Sequence, residues 1–399
     1  MIRREVAIVG IGQTGYAKAL PSTAWELAVE AVLAALADAG IDPADVDGMC
    51  RFAPPFEPVS EPMLVRALGI PELRFFAESP LGGEALGAVI AHAAAAIMAG
   101  LARTVVVYRA LSQSKGGRFG RADRAGPSGQ PAAAPSADIV VPEEDNRSFA
   151  WPYGLMSPGQ LFALWARRYA AVHGLTDEDL TTALGSIAIT QRRYANNNPA
   201  AMMRDRKMDW DDYRSARMIS EPLRLFDLCL ENDGACAYVL TSADVAGSLR
   251  ADPVYVLSAT QTLSPYREPM GIYADGELLE LFPPATAGRL FEQAGVTRQD
   301  IDVAEFYDAT SYMPLRSLES YGFVPDGQAW RYVAEAGTGP GSPLPVNTHG
   351  GHLSEAYLHG MNGVLEAVRQ LRGTACNQVA GAEIALVGAP AGSAMILAR

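Results

Sequence analysis

Hydrophobic positions along the chain fall in short blocks that switch between strand-like runs and helix-like spacing. Val6-Ala7-Ile8-Val9-Gly10 is a continuous apolar run after Arg3-Arg4-Glu5, the pattern of a buried strand, and Gly10-Ile11-Gly12-Gln13-Thr14-Gly15 reads as a glycine turn. From Trp25 to Ala39 the apolar side chains recur at helical spacing, and Gly40 marks the helix end. Residues 86 to 102, rich in alanine with His92 among them, lead into Thr104-Val105-Val106-Val107-Tyr108. A buried helix feeding a core strand is expected there, not a membrane span. Helices are expected at 158–172, 177–196 and 209–215, a strand approach at 227–237, and a strand at 383–387.

One phrase recurs. Ala39-Gly40-Ile41-Asp42-Pro43-Ala44-Asp45-Val46-Asp47 lines up with Ala294-Gly295-Val296-Thr297-Arg298-Gln299-Asp300-Ile301-Asp302, each after an amphipathic helix. Gly82-Gly83 opens one long helix, and Gly350-Gly351 opens another expected to run to Arg372; a hydrophobic strand follows each. A duplicated α/β unit with two sheets accounts for both correspondences. Between the copies, residues 112–147 are rich in Gly, Ser, Ala and Pro and read as a surface loop.

A chain of 399 residues with 49% apolar and 19% charged side chains has room for two such halves. The net charge of −13 disfavours nucleic acid. The four cysteines show no metal-ligand spacing and fit free thiols of a reducing cytoplasm, and the N-terminal run is too short and too early for a signal peptide. The glycine turn lacks the acidic residue that a dinucleotide site needs about 20 residues further on, so NAD binding is rejected. The arginine-rich stretches Arg167-Arg168, Arg192-Arg193 and Arg204 to Lys207 read as a solvated face.

The opening turn, the duplicated unit, Asn232-Asp233-Gly234-Ala235, Pro345-Val346-Asn347-Thr348-His349-Gly350-Gly351 and Glu366-Ala367-Val368-Arg369-Gln370-Leu371-Arg372-Gly373 together resemble the thiolase superfamily. The likeness is to its sterol-carrier or lipid-transfer branch and covers essentially the whole chain. It implies an α/β thiolase fold with two duplicated β/α halves in a layered αβαβα arrangement. The halves are residues 1–248, with a loop and helical excursion at about 112–220, and residues 249–399.

The family's chemical groups are missing. Its nucleophilic cysteine position aligns with Gly82-Gly83-Glu84-Ala85, and no cysteine lies between Arg51 and Leu228. Gly388-Ala389-Pro390-Ala391-Gly392-Ser393 lacks the second thiol. Ala356-Tyr357-Leu358 stands for Gly-His-Pro, and Tyr307-Asp308-Ala309-Thr310 for the His-Asp or Asn-Glu phrase. Without a thiolate no acyl-enzyme forms by the family's route. Tyrosines in these two places resemble the thiolase-like aldolases that shorten steroid side chains. Those enzymes cleave a β-hydroxyacyl-CoA by retro-aldol chemistry to a ketone and a shorter acyl-CoA, one tyrosine accepting a proton and another donating one. The resemblance further implies a homodimer with a small partner of OB-fold and zinc-ribbon character. No cofactor is expected beyond the coenzyme A of the substrate, and no metal.

By position, Tyr307 is assigned as base toward the hydroxyl and Tyr357 as donor to Cα, with the reverse order open. Most of the fifteen tyrosines are packing residues; only motif position singles out these two. A phenolate at neutral pH needs its pKa lowered by about 3 units, roughly 4 kcal/mol, to which a helix N-terminus and His349, His352 or His359 could contribute. Asp308 orients the Tyr307 loop or caps a turn. Glu84 is a supporting acid or a buried structural carboxylate. Backbone amides near Gly350, Gly351, Gly388, Gly392 and Ser393 are candidates for binding the thioester and its developing enolate. The competing readings are a noncatalytic acyl-CoA or lipid-binding subunit, and a degenerate thiolase using Glu84.

Overall fold

The computed structural model describes residues 2–52, 59–79, 83, 86–115, 153–155, 157–249, 252–262, 284–389 and 393–399, except the side chains of 284–286. Strand β1 (Val6–Gln13) leads to α1 (Ala24–Ala39), then β2 (Gly48–Phe52), α2 (Glu61–Leu68), β3 (Phe75–Ser79), α3 (Leu86–Met98) and β4 (Thr104–Ser112). An excursion of α4 (Pro158–His173), α5 (Asp177–Asn197), α6 (Trp210–Ser215) and the short pair β5 (Met218–Ser220) and β6 (Leu223–Arg224) returns into β7 (Asp233–Ser242) and α7 (Ala243–Ala246). The chain then passes through β8 (Val254–Thr260), α8 (Pro284–Ala294), β9 (Val303–Phe306), α9 (Tyr312–Ser320) and α10 (Ala329–Glu335). It ends with α11 (Gly351–Ser354), α12 (Met361–Arg372), β10 (Ile384–Gly388) and β11 (Ala394–Ala398).

Strand order is β3-β2-β4-β7-β1-β8-β11-β10-β9. In the first half β2 runs parallel to β4, β4 antiparallel to β7, and β7 antiparallel to β1. The second half repeats this with β9, β10, β11 and β8. The recurring sequence phrase marks the same place in each pass: Gly40 and Gly295 end α1 and α8 with φ of 71° and 67°, and a 3-10 turn at Pro43–Asp45 or Arg298–Asp300 leads into β2 or β9. The expected two sheets are instead one hydrogen-bonded run of nine described strands. The halves meet where β1 pairs with β8 through Ala7–Tyr255 and Ile8–Val254.

The opening glycines are not a turn. β1 continues to Gln13, and a Cβ at Gly10 or Gly12 would strike the α1 backbone at Ala35 or Ala31. Their work is close strand–helix packing. Helix α1 and one face of the first-half strands form a separate apolar cluster with Val9, Met49, Val106 and Val239. The larger core holds α3 and α12 together with strands of both halves. The α1 N-terminus is closed by a reciprocal Thr23–Glu26 capping box. Among the described residues no helix is long and apolar enough to cross a membrane.

Candidate active site

Tyr307 directly follows β9, and its N–H donates to Gly388 O at 2.8 Å, tying it to the end of β10. Tyr357 lies between α11 and α12, in a stretch expected to be helical. Gly350, Gly351, His359 and Gly360 have φ of 109°, 62°, 54° and 87°, so the helix expected to run from the glycine pair breaks at 355–360. A left-handed histidine is costly backbone that surrounding contacts must hold in place.

The two phenols meet. Tyr307 and Tyr357, fifty residues apart, are hydrogen-bonded hydroxyl to hydroxyl at 2.9 Å, with 7% and 6% of their surfaces exposed. The ends of both central helices converge on them, since Gly360 packs against Leu86, the first residue of α3. Gly83 faces the Tyr307 ring; an added Cβ would lie 2.6 Å from its Cδ2 and 2.7 Å from its Cζ. Gly83→Ala is therefore expected to displace the phenol. It should lower kcat on the order of 100-fold, at a stability cost of about 1–3 kcal/mol, read by steady-state kinetics beside a thermal melt.

His352 sits edge-on to both phenols, its ring 5.3 Å from Tyr307 and 5.2 Å from Tyr357. Its Nδ1 is 2.7 Å from Asp308 Oδ1, and its Nε2 is 3.0 Å from Asn362 Oδ1 and receives the Gly360 N–H at 2.9 Å. Asp308 also accepts the His352 backbone N–H, so its carboxylate is turned to His352 and orients that histidine. His359 stacks 4.8 Å from the Tyr357 ring, and its Nδ1 accepts from Arg109 Nε at 2.9 Å. Burial first, then Arg109 and His352, hold its imidazole well below the usual pKa. His359 is thus neutral at pH 7 and carries its hydrogen on Nε2.

Arg109, on β4 and 1% exposed, was missed in the sequence. Burial pushes its guanidinium down to about 9, with Arg51 adding to that and Tyr357 opposing it. It stays cationic at neutral pH and is coupled to the Tyr357 phenol; a neighbouring cation favours the phenolate. The available signal was an arginine inside Val105-Val106-Val107-Tyr108-Arg109-Ala110-Leu111, an otherwise buried run.

Three expectations change. The N–H groups of Gly350 and His352 are already taken by Asn347 O and Asp308. A Cβ at Gly350 or Gly351 would overlap Ala195, or Asp308 and Gln191, so this glycine pair serves packing within the protein and not approach of a thioester. His349 stands apart from the phenols, its Nδ1 2.9 Å from Glu305 and its Nε2 3.8 Å from Glu355. Arg192 is buried, not solvated, and donates to Ser354 Oγ at 2.9 Å. Gly388 carries the carbonyl that holds Tyr307, and buried Ser393 accepts the Ala389 N–H at 3.2 Å; Glu84 and Gly392 lie outside the described residues.

Burial pulls the His349 imidazole down, but Glu355, then Glu305 and Glu366, outweigh it and raise it to about 10. A histidine whose folded value exceeds its unfolded 6.5 adds stability that is full below pH 6.5 and is lost as the pH rises through about 10. Thermal melts across that window should fall for the parent, and His349→Gln should flatten the slope.

All four thiols are shifted upward, Cys50 and Cys236 to about 12, in each case with burial as the leading cause. That is the opposite of a nucleophilic cysteine. Among the described residues one group has metal-ligand spacing: His173, Glu319 and Asp326. The Arg316 guanidinium meets both carboxylates, at 2.6 and 2.5 Å, and competes with any cation there.

Residues 277–397 match the family model described as thiolase C-terminal domain-like. A 17-hydroxy-3-oxo-4-pregnene-20-carboxyl-CoA lyase of Mycobacterium tuberculosis is 42% identical over 393 residues, 98% of each chain. A steroid side-chain-cleaving aldolase of Thermomonospora curvata is 38% identical over 93% of this chain and 91% of its own. Among solved structures, the Ltp2-ChsH2(DUF35) aldolase superposes with a TM-score of 0.88 at 36% identity, covering 100% of this chain and 98% of that one. A monomeric SCP2-thiolase like protein type 1 from Mycobacterium smegmatis, at 18% identity and a TM-score of 0.69 over 100% of this chain and 78% of its own, shares the fold.

Proposed function

The chain belongs to the thiolase superfamily, among its steroid side-chain-cleaving aldolases, and is a carbon–carbon lyase of the retro-aldol kind; from that premise we propose that Tyr307 and Tyr357 carry both of its proton transfers. The observation behind this reading is the 2.9 Å hydrogen bond between the phenols. Tyr357 takes the proton of the β-hydroxyl. As the Cα–Cβ bond breaks, the hydroxyl carbon becomes a ketone and the bonding electrons move into the thioester enolate. A proton crosses from Tyr357 to Tyr307, and Tyr307 delivers one to Cα. This order reverses the assignment made by position, because the Arg109 cation is coupled to Tyr357 and favours negative charge on it. Nothing is tethered to the protein at any step.

The substrate is a β-hydroxyacyl-CoA with a bulky steroid side chain, released as a ketone and a shorter acyl-CoA such as propionyl-CoA; the named lyase and aldolase relatives support this. Coenzyme A enters as part of the substrate, and no other cofactor is used. The protein works as a cytoplasmic homodimer with a small OB-fold and zinc-ribbon partner. The resemblance to the neighbour named for Ltp2 with ChsH2(DUF35) supports the partner, and free thiols suit a reducing compartment.

With such a thioester and no added coenzyme A, ketone and shortened acyl-CoA should appear in equal amounts. Products that require added coenzyme A would point to thiolysis. Binding without products would favour a noncatalytic acyl-CoA carrier.

A further inference from the structure

Retro-aldol cleavage leaves negative charge on the thioester oxygen, and that oxygen needs a donor already in place. The backbone amides of Gly350 and His352 are otherwise engaged. Asn232 offers another. It ends the stretch leading into β7, and that stretch stitches both tyrosine-bearing loops together. Leu228 bridges Thr310, the Cys229 N–H donates to Ala309 O at 3.0 Å, and the Leu230 N–H donates to His352 O at 2.9 Å. Asn232 Oδ1 then accepts the Tyr357 N–H at 2.6 Å. The side chain is 0% exposed, and among the described residues its Nδ2 has no hydrogen-bond partner.

A buried amide donor left unmatched is destabilising, and such groups are rare enough to call for a reason. The amide is not flipped, since its oxygen is fixed by the Tyr357 N–H, so the two Nδ2 hydrogens remain for something else. Tyr357 itself is 6% exposed, and the Asn232 amide is fixed at the backbone of that residue.

Resting on the retro-aldol reading above, we infer that Asn232 is a further catalytic residue, its Nδ2 donating to the thioester oxygen as the Cα–Cβ electrons move onto it. No proton leaves Asn232; the bond strengthens as charge develops and relaxes when Cα is reprotonated.

Two variants separate this from a structural role. Asn232→Asp keeps an acceptor for the Tyr357 N–H and removes the donor; Asn232→Leu removes both. Each is measured for ketone release, for acyl-CoA binding, for melting temperature and for exchange of the propionyl-CoA α-hydrogens in heavy water, which requires the enolate alone. Asn232→Asp should lose about 10²–10³-fold in kcat and a similar factor in exchange, the scale of one oxyanion donor, while binding and melting stay near the parent. If Asn232→Asp exchanges and cleaves within a few-fold of the parent while Asn232→Leu melts early, the residue only anchors Tyr357 and the inference is overturned. A parent protein that forms no ketone overturns the retro-aldol reading together with it.

Discussion

Tyr357→Phe is expected to lower kcat by about 10²–10⁴-fold, the usual worth of a positioned general acid or base, with KM within a few-fold of the parent. The substitution is conservative in shape. The ring contacts to His359 at 4.8 Å and to His352 at 5.2 Å survive; only the hydroxyl goes. Tyr307→Phe should cost a similar factor, because its hydroxyl is the other end of the same 2.9 Å hydrogen bond. Removing both should cost little more than removing either, since groups that act in one proton path do not contribute independently. Steady-state ketone release by the parent, the two single variants and the double variant makes the comparison. A Tyr357→Phe protein that keeps more than about one tenth of the parent kcat is incompatible with the role assigned to it.

Arg109→Met is expected to have the second-largest effect. The guanidinium is buried on β4, hydrogen-bonded to His359 and coupled to Tyr357. A neighbouring cation holds an acidic group's pKa down. Its loss raises the phenol's value, so the acid limb of the kcat/KM profile should move to higher pH. At neutral pH kcat should fall about 10²–10³-fold, recovering in part as the pH is raised. Methionine fills most of the volume, which limits the loss from packing. Arg109→Lys keeps the charge but not the planar group that reaches His359 Nδ1, and should fall between the two. An unchanged acid limb in Arg109→Met would show that the cation serves folding alone.

Much of the fold was legible because its signals are local. Apolar runs marked β1 and β4, helical spacing marked α1, α4 and α5, and a repeated phrase marked the two helix-to-strand passages. The joining of the halves was not legible, because pairing of Ala7 with Tyr255 depends on residues far apart in sequence. In the site, Tyr307, Tyr357, His352, His359 and Asp308 stood out by motif position, and they lie together. Arg109 did not, since nothing near it in sequence points to a histidine 250 residues away. His349 and His352 looked equivalent on either side of a glycine pair. Two left-handed glycines turn the chain between them, sending one imidazole to the carboxylates and the other to the phenols. The break at His359 and Gly360 was hidden as well, for the stretch carries no proline and only tertiary contacts hold its backbone.

The most direct test is whole-protein mass during a single turnover, with protein in excess over substrate and samples quenched in time. If two phenols pass protons while the substrate is never tethered, the protein mass stays that of the free chain and ketone and short acyl-CoA rise together. A protein heavier by the acyl group, formed while coenzyme A is released, would contradict the account.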